Sequence, residues 1–233
     1  MENINTLIFD ADDTLWKNNF YYERARADFI RLCERYSSNN NGFDRVFDDF
    51  ERQVVTDRGY GSKNFVFILE SLFEKHDFLS GSADACRSYR RILHKFRAHT
   101  TRPPVLFRDV RQILHRLSGS YPLFLLTKGD PEEQNRKLAG SGLGQFFTKA
   151  FVVPEKNDLI YQKIMKDEGF KPDRVCMIGN SPKSDINPAL RTGIWAVYIP
   201  YSLTWKLDDE PLIRPHPRLT EIERIRDLEA YFG

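Results

Sequence analysis

The triplet Asp10-Ala11-Asp12 stands directly behind the apolar run Leu7-Ile8-Phe9. Two carboxylates two residues apart, just past a strand, can both turn toward one reacting centre. One can attack phosphorus while the other exchanges a proton with the leaving oxygen. By itself the triplet reads more readily as a solvated acidic turn or a helix cap, because such triplets are common. Three further places supply what the chemistry would still lack. Thr127 and Lys128 follow the run Pro122 to Leu126, where a hydroxyl and the next backbone N–H can bind phosphate oxygens. Lys156 follows Phe151-Val152-Val153-Pro154 and brings an ammonium that can neutralise a phosphoryl group and the attacking carboxylate. Gly179-Asn180-Ser181 closes the run Val175 to Ile178, and Asp185 lies five residues beyond Asn180. Oxygen ligands of this kind suit Mg2+, a hard cation that keeps several waters and adds substrate phosphate to its shell. A single Thr or Lys at such a place is ordinarily structural. The signal is the joint occurrence, in this order, each at the end of its own apolar run.

Those runs, with Ala196 to Ile199 as a fifth, show little alternation and so suit strands buried on both faces. Between them Val110, Ile113, Leu114 and Leu117 fall at helical spacing, as do Leu159, Ile160, Ile164 and, more loosely, Met165. Strand–helix alternation implies a parallel sheet with crossover helices, in which ligands bind at the carboxyl ends of strands. The fold class is therefore α/β. Residues from about 17 to 100 break the rhythm: they carry no strand run and read as helices over Tyr21 to Tyr36, Phe43 to Val55, Asn64 to Phe73 and Ala83 to Phe96. Ser37-Ser38-Asn39-Asn40-Asn41-Gly42 and Gly59-Tyr60-Gly61 separate some of them, and Thr101-Arg102-Pro103-Pro104 marks the return to the main domain. The expected division is an α/β core over residues 1–16 and 101–233 and a helical insertion over 17–100. Near the C-terminus Pro211, Pro215 and Pro217 suggest an extended stretch, after which Leu219, Ile222, Ile225 and Leu228 predict a short amphipathic helix.

Composition narrows the function classes. In 233 residues, 41% are hydrophobic, enough for a sizeable core, and Lys+Arg 35 nearly cancels Asp+Glu 33. A net charge of +2 gives no electrostatic footprint for a polyanion such as DNA, while leaving room for a small anionic substrate at a local positive site. Cys33, Cys86 and Cys176 are odd in number and far apart, which argues against a disulfide framework or a zinc site and for a reducing cytoplasm. The N-terminal stretch shows no signal-peptide pattern and no window approaches a membrane span. There is no GxGxxG after the first strand, no Gly-Lys-Ser/Thr phosphate loop and no Gly-x-Ser-x-Gly elbow. The run Arg87, Arg90, Arg91, Lys95 and Arg97 reads as a solvated helix face, and none of the five His residues stands near a motif.

Taken together, Asp10-x-Asp12-x-Thr14, Thr127, Lys156 and Gly179-Asn180-Ser181 with Asp185 resemble the four motifs of the haloacid dehalogenase superfamily, across essentially the whole chain. The resemblance implies a Rossmann-like parallel sheet flanked by helices, with an inserted all-α cap domain after the first strand. It implies a phosphatase mechanism in which Asp10 is the nucleophile that forms an aspartyl-phosphate and Asp12 is the acid and then the base. Mg2+ would be held by Asp10, the Asp12 carbonyl and Asp185, with Asn180 nearby, and the phosphate by Thr127, Lys128 N–H and Lys156. Asp13 stands where many members have Gly, and Asn180 where many have Asp, which removes one negative charge from the metal site. Asp12 disfavours the halide-displacing and phosphonate-cleaving branches, which lack an acid there. A phosphomutase shares all four elements, and a catalytically silent binding module on the same fold is the alternative outside enzymology. The expected partner is a small phosphorylated metabolite, selected by the cap, with Asn18, Tyr21, Tyr60 and Lys63 as candidate lining residues.

Overall fold

The run that ends one residue before Asp10 is a strand, β1 (Thr6–Phe9), buried at every residue. The structure, a computed structural model, describes residues 3–37, 42–203, 205–208 and 210–233. Five more strands follow: β2 (Leu123–Lys128), β3 (Lys149–Val153), β4 (Val175–Gly179), β5 (Trp195–Tyr198) and β6 (Leu219–Glu221). They form one parallel sheet in the order β3-β2-β1-β4-β5-β6. The sheet fixes the site by register. Phe9 is level with Leu125 of β2 and with Ile178 of β4, and Thr127 and Lys128 are level with Val152 and Val153 of β3. Asp10, Thr127 and Asn180 therefore leave neighbouring strands at the same, carboxyl-terminal edge.

The chain divides into two compact units: the stretch up to Asn19 together with Val105–Gly233, and Phe20–Pro104. The second is helical, with α1 (Asn19–Tyr36), α2 (Phe43–Arg58), α3 (Ser62–Lys75), the single turn α4 (Asp77–Ser80) and α5 (Ala83–Thr100). Of the loop expected over Ser37 to Gly42, positions 38–41 lie outside the described residues. This unit has its own core, in which Phe29, Phe47, Phe65, Leu69 and Phe96 are buried together. Aromatic pairs tie it: Phe65 against Phe96 at 4.8 Å and Phe73 stacked on Tyr89 at 4.1 Å. Ser82 caps α5 by accepting from Ala85 N–H. Arg87, Arg90, Arg91, Lys95 and Arg97 are exposed along α5, with Arg87 paired to Asp84 and Arg97 to Glu70.

In the sheet unit the flanking helices are α6 (Val110–Leu117), α7 (Pro131–Ser141), α8 (Asp158–Asp167), α9 (Asn187–Arg191) and α10 (Glu229–Phe232). The period-two pleat sorts β1 between two cores. Leu7 and Phe9 join Val110, Ile113, Leu114 and Leu228 on one face. Ile8 joins Phe124, Tyr161, Ile164, Met177 and Leu190 on the other. Two expectations change. Leu159 is exposed, because the buried stripe of α8 is Tyr161, Ile164 and Met165, and Leu159 lies off that face. Leu219 does not begin a helix. It opens β6, paired with Ala196 of β5, and a 3-10 turn follows over Ile225–Leu228. The three-residue spacing came from a strand end and a turn that bury Ile222, Ile225 and Leu228 in the same core. Among the described residues, no helix is long and apolar enough to cross a membrane.

Candidate active site

Asp10 continues β1 by one residue, its N–H donating to the Ile178 carbonyl at 2.9 Å. Its side chain is buried and doubly engaged: Oδ1 accepts from Lys156 Nζ at 2.5 Å and Oδ2 from Thr14 Oγ1 at 2.7 Å. The same ammonium donates to Asp185 Oδ1 at 2.7 Å, while Asp185 Oδ2 accepts from Ser181 N–H at 2.9 Å. Asp185 reaches this place through a single wide π-helical turn, Pro182–Ile186, which folds its carboxylate back over Gly179. A Cβ at Gly179 would lie 2.4 Å from Asp185 Oδ2, so this position excludes any side chain. Burial, then the nearby Asp185 charge, push the Asp10 carboxyl up to about 7 against the opposing pull of Lys156 and Thr14. Burial disfavours the Lys156 ammonium, but Asp10 and Asp185 outweigh it and hold its pKa above the usual lysine range. The Asn180 amide completes the group. Turned with its NH2 inward, it donates to Asp10 Oδ2 at 3.2 Å, Thr14 Oγ1 at 3.1 Å and the Asp12 carbonyl at 3.2 Å.

Asp12 belongs to a second set of contacts. Its Oδ1 accepts from the Trp16 indole N–H at 2.6 Å, and its Oδ2 from Gln134 Nε2 at 2.8 Å. Lys137 Nζ lies 3.1 and 3.0 Å from the two oxygens and also donates to Asn18 Oδ1 at 2.8 Å. Burial disfavours the Lys137 ammonium, and Asp12 and Glu133 more than compensate, raising its pKa. Between the two sets the chain turns at Asp13, whose φ of 64° lies in the left-handed region. This is a conformation that favours glycine. The Asp13 carboxylate accepts from the N–H groups of Asn18 and Asn19, each at 2.9 Å, at the start of α1. Burial nevertheless pushes its pKa up to about 7.

Thr127 is buried at the end of β2. Lys128 beside it sends its ammonium to Ser184 Oγ at 2.9 Å and Asp208 Oδ1 at 2.5 Å, below the Trp205 ring. The structure thus brings Asp10, Asn180, Asp185 and Lys156 into one cluster, and Asp12 and Asn18 into an adjoining one. Tyr60 belongs to the helical unit, on the turn between α2 and α3, flanked by Gly59 and Gly61 at positive φ. Tyr21, in the same unit, stacks on His99 at 4.2 Å.

The profile of the haloacid dehalogenase-like hydrolases matches residues 4–193. The chain belongs to that family. Over 222 residues it is 27% identical to a glyceraldehyde 3-phosphate phosphatase of Pyrococcus furiosus, covering 90% of this chain and 86% of the relative. A haloacid dehalogenase-like hydrolase from Xanthomonas campestris superposes with a TM-score of 0.80 at 31% identity, covering 98% of this chain and 90% of that one. YfnB from Bacillus subtilis, crystallised with bound magnesium, superposes with a TM-score of 0.61 at 18% identity over 99% of each chain, a likeness of fold.

Within this hydrolase, the sequence motifs do not point to Trp16, Gln134, Lys137 or Asp208. Gln134 and Lys137 had a legible signal. In α7 the buried positions Glu133, Gln134, Lys137 and Ser141 are all polar yet lie at helical spacing. A short helix after a candidate phosphate-binding strand, with a polar rather than an apolar stripe, must turn that stripe toward polar partners.

Proposed function

We propose that this hydrolase is a Mg2+-dependent phosphatase that cleaves a small phosphate monoester through an aspartyl-phosphate on Asp10. The observation that carries the reading is the Asp10–Lys156–Asp185 cluster, two buried carboxylates sharing one buried ammonium at the carboxyl edge of the sheet. Two carboxylates against one ammonium leave a surplus negative charge, and the Asn180 amide links it to the Asp12 carbonyl, lying 3.2 Å from Asp10 Oδ2 and 3.2 Å from that carbonyl. Among the described residues no third His, Cys, Asp or Glu side chain joins them as a metal-ligand group. The oxygen donors are therefore two carboxylates and a carbonyl, to which the Asn180 amide would add its own oxygen by turning about. That suits Mg2+, which takes one or two carboxylates and fills its shell with water and substrate phosphate. Bound there, the cation would neutralise phosphoryl charge.

The residues would act in two displacements. In the first, an Asp10 carboxylate oxygen bonds to phosphorus, the ester P–O bond breaks, and the leaving alkoxide takes a proton from Asp12. In the second, water attacks the phosphorus of the aspartyl-phosphate and gives its proton to Asp12, releasing inorganic phosphate and regenerating both carboxyl groups. Thr127 and the Lys128 N–H would bind phosphoryl oxygens, and Lys156 would neutralise them alongside Asp10. The phosphatase name of the Pyrococcus furiosus relative supports the substrate class.

Phosphate release from sugar phosphates, glyceraldehyde 3-phosphate, nucleotides and aryl phosphates, each with Mg2+ and with EDTA, tests the reading. We expect release from a narrow set, abolished by EDTA, and no turnover by Asp10→Asn with the fold retained by circular dichroism. Near-wild-type activity in Asp10→Asn would remove Asp10 as nucleophile. No release from any compound would direct attention to phosphoryl transfer or to a binding role.

A further inference from the structure

Three donors reach the Asp12 carboxylate. Trp16 and Gln134 each donate to one oxygen, and Lys137 bridges both. Lys137 is buried and held by Glu133 at 3.4 Å and by Asn18. Gln134 is fixed in turn, donating also to the Lys128 carbonyl at 3.1 Å. Gly129, with φ of 134°, brings its backbone close enough that a Cβ there would meet Gln134 Nε2 at 3.1 Å. None of this touches Asp10 or Lys156, so it is not part of the cluster that would hold the phosphoryl group. Burying an ammonium and an amide in this way is costly unless their partner matters, since a buried charge must find a matched acceptor.

We infer that Lys137 and Gln134 of α7 are positioning residues that aim the Asp12 carboxylate at the reacting centre. The inference rests on the phosphatase reading. In both displacements Asp12 must present an oxygen to the reacting atoms, and a carboxylate held at both oxygens points in one direction. With an aryl phosphate, whose good leaving group needs little proton donation, that aim matters mainly in the second displacement, where Asp12 takes a proton from water. Removing the grip slows the second step more than the first, so the phosphorylated enzyme builds up.

The test compares wild type with Lys137→Met and Gln134→Met, using an aryl phosphate whose good leaving group needs little protonation. Steady-state kcat and KM, acid-quenched phosphoenzyme and the indole N–H resonances in a 1H–15N spectrum are recorded for each. With three Trp in the chain, the Trp16 resonance is assigned by Trp16→Phe. We expect kcat to fall about 10–100-fold in Lys137→Met and about fivefold in Gln134→Met. KM should change less than threefold, the phosphoenzyme fraction should rise above wild type in both, and the Trp16 resonance should shift. Lys137→Met leaves Asp12 and Glu133 without their shared cation and can misfold. Gln134→Met removes only a neutral donor and carries the test in that case. An unchanged kcat, or a kcat and phosphoenzyme level that fall together, would overturn the inference. Failure of the phosphatase reading shows separately, as absent turnover and phosphoenzyme in wild type. The Trp16 resonance still judges the positioning then, and an unmoved resonance in both variants overturns it.

Discussion

Asp10 and Asp185 place two carboxylates on one buried ammonium, and their burial, with their mutual repulsion second to it, has a measurable consequence. Without a cation, the Asp10 carboxyl is pushed from its ordinary 3.8 up to about 7. A folded-state pKa above the unfolded value means that the folded protein holds this proton more tightly. The stability this carboxyl lends is therefore lost as pH rises from about 4 to about 7. A divalent cation in the proposed site favours the ionised form and must displace the proton. At pH 7 roughly half of the sites carry it, so Mg2+ binding releases roughly half a proton there and almost none at pH 9. Apparent Mg2+ affinity accordingly weakens as pH falls below 7. Titration calorimetry in two buffers of different ionisation enthalpy measures the release. Equal apparent enthalpies in both buffers at pH 7 would mean that Asp10 is ionised before the cation arrives.

At the scale of elements, what could be read from the chain was whatever depended on local apolar pattern. Strands β1, β2 and β4 are uninterrupted apolar runs, and the motif residues stand at their ends, so both the sheet and the order of Asp10, Thr127, Lys156 and Asp185 were legible. β6 was not, because three residues whose register is set by β5 carry no signature of their own. The support for Asp12 was harder still: Lys137 meets it across 125 positions, and only the folded sheet brings α7 alongside. That helix is built to begin sharply. Asp130 accepts from the Glu133 N–H at 2.8 Å as its N-cap, Pro131 follows, and Gly142 ends it in the left-handed conformation. Replacing the cap by Asp130→Ala should cost about 1 kcal/mol of stability, read as a lower denaturation midpoint. Because Gln134 closes the first turn onto the Asp130 carbonyl and Lys137 lies in the next, it should also broaden or shift the Trp16 indole resonance. A loss of stability with that resonance unmoved would show the first turn of α7 to be independent of its grip on Asp12.

At the scale of the molecule, the two units each close a core of their own, and each holds one buried cysteine. Cys33 lies in the core of the helical unit, and burial pushes its thiol up to about 12. Cys176, in β4 of the sheet unit, is fully buried, and burial raises its thiol further. Cys86 is only half-buried. An alkylating reagent attacks thiolate that it can reach. At pH 8 the native protein should therefore label at Cys86 within minutes and at the other two only when their cores open. The pair then reports the two units separately. The proposed Mg2+ ligands all belong to the sheet unit. A ligand that binds only the folded form of a unit stabilises that unit by mass action. Mg2+ should move the denaturant concentration at which Cys176 becomes reactive upward and leave that for Cys33 in place, as peptide mapping of pulse-labelled protein would show. An equal shift at both cysteines would mean that the helical insertion and the sheet unfold as one cooperative body, despite their separate cores.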